Sequence, residues 1–330
     1  MPLNNAYIDN KTVFLAGATG AAGSAILRYI LDNFPNTRIQ AACRNREPFL
    51  KHERLAYMKA DLRVLEDCRR ASRGCDCALL AASHSPGFKM SATEPASLMN
   101  DNLIMNARML EAFSREKVRR VVYVGTATVY QEFEGFIRED EIDLNKDPHP
   151  AYQEAAWVSR FVEKLGLVWH QRTGMEIINA RSANIFGPYS NFDPSASYFI
   201  PALVRKAVEK MDPFEVWGSP EVTRDVLYCE DFAGAIVSLL NSTSVKFDAF
   251  NVGSGFKTTV GDVVDWAIKY AGHKPSKIRY AAGKPSVIKF RALDVTKIKN
   301  ATGWAPSHSI QEGIRKTMDW WKANKGTWKR

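Results

Sequence analysis

The chain has 330 residues, 45% of them hydrophobic, and a formal net charge of +9, so it can bury a large core and build a second lobe onto it. No run of about eighteen apolar residues is present, which excludes a helical membrane span, and the N-terminal stretch MPLNNAYIDNKTVFLAG lacks a signal-peptide layout, so a cytoplasmic location is expected. Lys and Arg are scattered without a like-charged block, which argues against a nucleic-acid surface, and the five cysteines (43, 68, 75, 77, 229) have neither metal nor redox spacing.

In chain order the first element is TVFLAG, a short apolar run suited to a strand covered on both faces. It runs into GATGAAG, with Gly17, Gly20 and Gly23, and then into the helical spacing of SAILRYILDNF. A glycine turn between strand and helix is the setting of a pyrophosphate cradle. Its backbone comes close to the phosphates, and the free N–H groups of Gly20, Ala21 and Ala22 face the anion. RIQAAC, the second strand, ends in Cys43-Arg44-Asn45-Arg46, with no acid before Glu47. NAD binders place an acid there for the ribose hydroxyls, whereas Arg44 and Arg46 suit a 2′-phosphate; NADP is the expected cofactor, with NAD the alternative.

LAYMKA is the third strand, and Asp61-Leu62 after it is placed to meet the adenine, although Asp61 also fits an exposed helix cap. A helix over VLEDCRRAS leads to a fourth strand, CALLAA. The long helix PASLMNDNLIMNARMLEAFSRE leads to a fifth, RVVYVG, and AAWVSRFVEKLGLVWHQR leads to EIINAR. After Gly187-Pro188 the rhythm loosens, and strand character returns in AFNVGSG. The tail WWKANKGTWKR reads as the fraying end of a terminal helix. Alternating strands and helices predict an α/β fold, a Rossmann-type doubly wound parallel sheet with a smaller C-terminal substrate-binding lobe. Residues 1–186 are expected to form the nucleotide-binding domain, with 226–255 returning to it, and 187–225 and 256–330 the second lobe.

Several longer strings accompany GATGAAG: the LLAAS strand end, NDNLIMNARMLEA, VVYVGTATVYQ, NIFGPYSNFDP, VWGSPEVTRDVLYCEDFAGAI and LDVTKIKNATGWAP. Together they cover nearly the whole chain and resemble the extended short-chain dehydrogenase/reductase family of nucleotide-sugar epimerases, dehydratases and reductases. ANIFGPYSNFDPSASYFIPALVRK followed by VWGSPEVTRD is most similar to the GDP-L-fucose synthase branch, which epimerises and reduces a 4-keto-6-deoxy sugar. The resemblance implies an oxidoreductase or epimerase that uses NADP and acts at C4 of a GDP- or UDP-sugar. It also implies a homodimer through the helices at 95–115 and 153–173. The alternative is a protein that binds cofactor and sugar nucleotide as a sensor or partner.

By the same resemblance, Ala81, Ala82, Ser83 and Asn102 line the cofactor. Thr126 stands at the family's catalytic Ser/Thr. His84 and Lys89, in the loop SHSPGFKMS after the fourth strand, are candidates for acid-base work near the sugar. Asn184, Arg205 or Lys206, Trp217, Arg224 and Lys284 match positions that hold the nucleoside diphosphate, where cations offset about two negative charges. Thr128 and Tyr198 replace the epimerising cysteine and histidine of the fucose synthases, and neither is an evident base at neutral pH.

The stretch HPAYQEAAWVSRFVEKLG departs from the family at its tyrosine-lysine pair. With Tyr152 as the family tyrosine, the lysine position is Ala156. When the register is set by Glu163 and by the interval to Gly187-Pro188, the pair falls on Ala155 and Ser159, and this second register is preferred. Either way the lysine is missing. A shift of about 3 units in an ordinary tyrosine amounts to roughly 4 kcal/mol, or on the order of a thousandfold in rate, so slow turnover is expected. Arg160 cannot relay a proton in the lysine's place, because a guanidinium stays protonated.

Overall fold

The computed structural model describes residues 6–84, 95–281 and 291–328. Its centre is a sheet of seven strands: β1 Thr12–Ala16, β2 Arg38–Cys43, β3 Leu55–Lys59, β4 Cys77–Leu80, β5 Arg120–Thr126, β6 Glu176–Ser182 and β7 Phe247–Val252. They lie in the order β7-β6-β5-β4-β1-β2-β3, and every adjacent pair is parallel. The doubly wound sheet expected from the sequence is therefore present. Chain direction across the sheet reverses between β1 and β4, which opens a crevice at the carboxyl ends of the strands.

Among the described residues the helices are α1 Ala21–Asn33, α2 Leu65–Ser72, α3 Pro95–Arg115, α4 Gln153–Thr173, α5 Phe199–Val208, α6 Cys229–Asn241, α7 Val260–Ala271, α8 Thr296–Thr302 and α9 Ile310–Asn324. Side chains alternate across each strand, so β1 feeds two cores at once. Val13 and Leu15 pack with Ile26 and Ile30 of α1 and Phe232 and Ile236 of α6. Phe14 and Ala16 pack on the opposite face with Cys68 of α2, Met109 and Phe113 of α3, and Val158 and Val162 of α4. Burial on both faces is why these strands read as unbroken apolar runs. No helix among the described residues is long and apolar enough to cross a membrane.

The core on the α1 face continues through Val204 of α5, Val264 of α7 and Met318 of α9. Short strand pairs stitch the C-terminal segments to the crevice. Asn184–Phe186 runs parallel to Val226–Tyr228, and Thr223–Arg224 runs antiparallel to Thr258–Thr259. Phe214–Trp217 pairs with Ile278–Ala281, and Arg291–Leu293 pairs with Gly135–Ile137.

The C-terminal tail does not fray as the sequence suggests. Trp328 lies 5.2 Å, ring to ring, from Tyr189, and Tyr189 stacks at 4.5 Å on Phe49 in the loop after β2. The Trp328 indole N–H donates to the Ser190 carbonyl at 3.1 Å. The packing of these three half-buried aromatic rings outweighs the polar residues around them and ties the C-terminal segment to the loop that carries Arg44 and Arg46.

Candidate functional site

The crevice begins at the glycine turn. Gly17 has φ of +86°, and a Cβ there would lie 2.6 Å from the Ala81 carbonyl oxygen, while a Cβ on Gly23 would lie 2.1 Å from the Gly17 oxygen. Only glycine lets the turn fold this closely against the end of β4. The Gly20 N–H closes the turn onto the Gly17 carbonyl at 2.8 Å, and Gly20 then caps α1 without any side-chain bond. No acid stands in the first turn of α1. The N–H groups of Ala21 and Ala22 are thus left for an anion, and the turn fits a pyrophosphate.

Beyond the turn, a cavity of about 670 Å³ is lined by Arg44, Lys59, Asp61, Arg63, Asp67, Arg70, His84 and Asp101, among others. Arg63 is its keystone. It grips Asp61 through two bonds of 3.0 and 2.6 Å and reaches Asp101 at 3.0 Å. That hydrogen-bonded pairing holds the Asp61 carboxyl down at about 2. Arg70 pairs with Asp67 at 2.6 Å. No ion pair is made by Arg44 or Lys59 among the described residues, so two cations remain for a phosphate. Arg46 is exposed and does not line this cavity, and the Leu62 side chain is buried in the core. Lys59, Arg63 and Asp101 were not identified from the sequence; the Asp61-x-Arg63 spacing was the one local signal for them.

Ala81 and Ala82 follow β4 half-buried, and Ser83 is exposed. Asn102 spends its amide on this loop, accepting from the His84 N–H at 2.8 Å and donating to the His84 and Leu98 carbonyls at 3.0 and 2.9 Å. Its visible role is to hold the strand end against α3. The His84 imidazole pairs with Asp101 at 2.9 Å and lines the cavity with Arg44 and Asp61. That contact holds the His84 ring beside Arg44 and Asp61. Lys89 and Lys284 lie outside the described residues.

The second half of the site gathers at the end of β5. Thr126, the last residue of that strand, caps the turn Ala127–Val129, and its hydroxyl accepts from the Thr128 N–H at 3.2 Å and the Thr128 hydroxyl at 3.1 Å. Tyr152 ends a separate turn, Pro150–Tyr152, and caps α4 instead of lying within it. Its ring centre is 5.9 Å from the Arg291 guanidinium and 5.7 Å from the His149 ring. Arg291 also donates to the Ala127 carbonyl, in the turn that Thr126 caps. Arg224 is close enough to feel both Tyr152 and Arg291. Burial lowers both guanidinium groups, Arg291 to about 10, and each remains charged near neutral pH.

Asp225 holds this end together. Its buried carboxylate accepts from the Ser254 N–H and hydroxyl at 2.8 Å each and from the Leu293 N–H at 3.1 Å. One side chain thereby fixes the strands of Arg224 and Arg291. Burial raises the Asp225 carboxyl, and the hydrogen bonds act against that rise. Sequence reasoning missed Arg291, since only the pairing of Arg291–Leu293 with Gly135–Ile137 brings it here.

The other expected substrate residues make contacts of their own within the chain. Arg205 is buried and pairs with Glu209 at 2.7 Å, and the Lys206 ammonium donates to the Glu215 carbonyl at 2.7 Å. Both contacts lie among the C-terminal segments, and the sequence could not reveal them because Glu209 and Glu215 look like ordinary surface acids. Asn184 is exposed and its amide donates to the Asp225 carbonyl at 3.2 Å; Trp217 and Tyr198 are 52% and 56% exposed. On α4, Ala155 is exposed and Ala156 fully buried. Ser159 is buried with its hydroxyl 3.1 Å from the Tyr123 hydroxyl, so a tyrosine occupies the space below that lysine position. Arg160 donates to the Val129 and Lys146 carbonyls at 2.6 and 2.8 Å, fastening the loop over the site.

Residues 13–253 match the model of the NAD dependent epimerase/dehydratase family. A GDP-L-fucose synthase of Sinorhizobium fredii is 26% identical over 321 residues, spanning 96% of this chain and 97% of that protein. A GDP-mannose 3,5-epimerase of Arabidopsis thaliana is 26% identical over 264 residues, spanning 79% of this chain and 69% of its own. Among solved structures, a UDP-glucose 4-epimerase of Thermotoga maritima with UDP-glucose superposes with a TM-score of 0.83 at 19% identity, covering 95% of this chain and 99% of that one. A dTDP-glucose 4,6-dehydratase of Streptomyces venezuelae with NAD bound gives 0.83 at 20% identity, covering 96% and 99%. At those identities the structural likeness speaks for the fold.

Proposed function

The chain belongs to the NAD dependent epimerase/dehydratase family, and on that premise we propose that it is an NADP-dependent nucleotide-sugar oxidoreductase or epimerase. Its substrate is a GDP- or UDP-sugar and its chemistry is at C4. The observation that carries this reading is the convergence of Thr126, Tyr152, Arg224 and Arg291 at the end of β5, in the same crevice as the glycine turn after β1. The curated relatives named above, a fucose synthase and a mannose epimerase acting on GDP-sugars, support the substrate class.

In this account residues 1–186 and 226–255 hold the cofactor, and 187–225 with 256–330 close over the sugar nucleotide. NADP, when bound, supplies or accepts the hydride. The glycine turn and the start of α1 bind its pyrophosphate, and Arg44 with Lys59 takes the 2′-phosphate. Thr126 bonds the reacting sugar oxygen, Tyr152 exchanges a proton with it, and Arg224 offsets diphosphate charge. The tyrosine-lysine pair is degenerate because Ala155 and Ser159 stand in its place, and turnover is accordingly slow. The preference for NADP is tested by calorimetric titration with both cofactors. Arg44→Ala is expected to weaken NADP(H) about five- to tenfold, near 1 kcal/mol, with little effect on NAD(H). Equal wild-type affinities for the two would remove the argument.

One observation favours a binding protein without turnover: the Tyr123–Ser159 contact closes the lysine's place with a hydrogen bond. Nucleotide-sugar binding is common to both readings, and measured turnover separates them.

We also propose a homodimer. Trp157, Phe161 and Val168 form an exposed apolar stripe on α4, 38–52% open to solvent, with Ile104 of α3 exposed at 44%. Phe161→Asp should convert a dimer into a monomer by light scattering; a monomeric wild type at working concentrations would refute this.

A further inference from the structure

We propose that Arg291 is the positioning cation for Tyr152, supplying from the C-terminal segments the fixed charge that α4 lacks. The inference rests on the nucleotide-sugar reading and deepens it. Three contacts aim the guanidinium: the Ala127 carbonyl, the Phe133 ring at 5.2 Å and the Tyr152 ring at 5.9 Å. Its strand is held on both sides, by Gly135–Ile137 and by the Asp225 carboxylate on Leu293. Arg291 forms no carboxylate ion pair among the described residues, so its charge is not cancelled where it meets the tyrosine.

Among the described residues, the groups recorded near Tyr152 are His149 on its own turn, Arg224 from the strand Thr223–Arg224, and Arg291. Both arginines are positive. If a bound nicotinamide supplied hydride to the carbon of a C4 carbonyl, the sugar oxygen would take the electron pair of the C=O π bond and the proton of the Tyr152 hydroxyl, leaving negative charge on the phenol oxygen. The Arg291 guanidinium, 5.9 Å from the ring centre, would favour that charge without surrendering a proton of its own. The phenol oxygen must then be reprotonated from water, because arginine cannot relay a proton as lysine does. Arg291 thus stands in for the charge of the missing lysine and leaves its relay function unfilled.

Two measurements on full-length protein test this. Tetranitromethane attacks tyrosinate, so nitration of Tyr152, read by peptide mass spectrometry without any ligand, reports how well the anion is stabilised. Arg291→Met should slow it about threefold or more, and Arg291→Lys should stay within about twofold of wild type. Unchanged or faster nitration in Arg291→Met overturns the inference whether or not the protein turns over a sugar. In turnover assays, Arg291→Met should lower kcat about tenfold with little change in KM, Arg291→Lys should recover most of it, and the loss should vanish in a Tyr152→Phe background. Equal losses in both backgrounds mean that Arg291 acts independently of Tyr152 and also overturn it. Normal nitration effects without turnover of any diphosphate sugar count against the enzymatic reading alone.

Discussion

A variant carrying Tyr123→Phe, Ala155→Tyr and Ser159→Lys is expected to turn over a diphosphate sugar on the order of a hundredfold faster than wild type. Positions 155 and 159 are one helical turn apart on α4, so the new tyrosine and lysine share a face. Ala155 is exposed and leaves room for a ring. Ser159 is 3% exposed against the Tyr123 hydroxyl, so an ammonium placed there needs that hydroxyl removed. A lysine's full effect on its tyrosine is on the order of a thousandfold, and Arg291 already contributes part of the charge, which sets the smaller gain. Stopped-flow absorbance of NADPH checks the rate. Ala156→Lys alone should gain nothing, since Ala156 is wholly buried and Tyr152 lies outside the helix. A gain from Ala156→Lys and none from the folded triple variant would show that Tyr152 occupies the family's tyrosine position.

Arg224→Ala should weaken sugar-nucleotide binding ten- to a hundredfold, because a charge-assisted bond to a diphosphate contributes about 1.5 to 3 kcal/mol. NADP binding should be unaffected, since Arg224 stands on the strand Thr223–Arg224 and not among the residues around Arg44. Calorimetry with each ligand checks this selectivity, and a parallel melting curve separates it from damage to the fold. Loss of both ligands together would mean that Arg224 supports structure alone.

The sequence made the central sheet readable because strands buried on both faces must be apolar throughout: RIQAAC and β2 coincide residue for residue. The glycine turn was equally legible, since close backbone contact leaves a spacing that only glycine satisfies. What it hid were contacts between distant segments. Arg291 reaches Ala127 across the chain, Arg63 ties Asp61 to Asp101, and Trp328 docks beside Tyr189. None of these pairings has a periodic pattern, and each depends on where a short strand or turn closes. Arg205 and Lys206 mark another limit, for a matching string does not show which neighbouring acid or carbonyl each cation meets.

The most direct test of the account is a calorimetric titration of NADPH-loaded wild-type protein with GDP- and UDP-sugars. Saturable one-to-one binding of at least one of them is expected, competed by the matching nucleoside diphosphate and weakened at least tenfold in Arg224→Ala. Tight NADPH binding with no heat from any diphosphate sugar would contradict it.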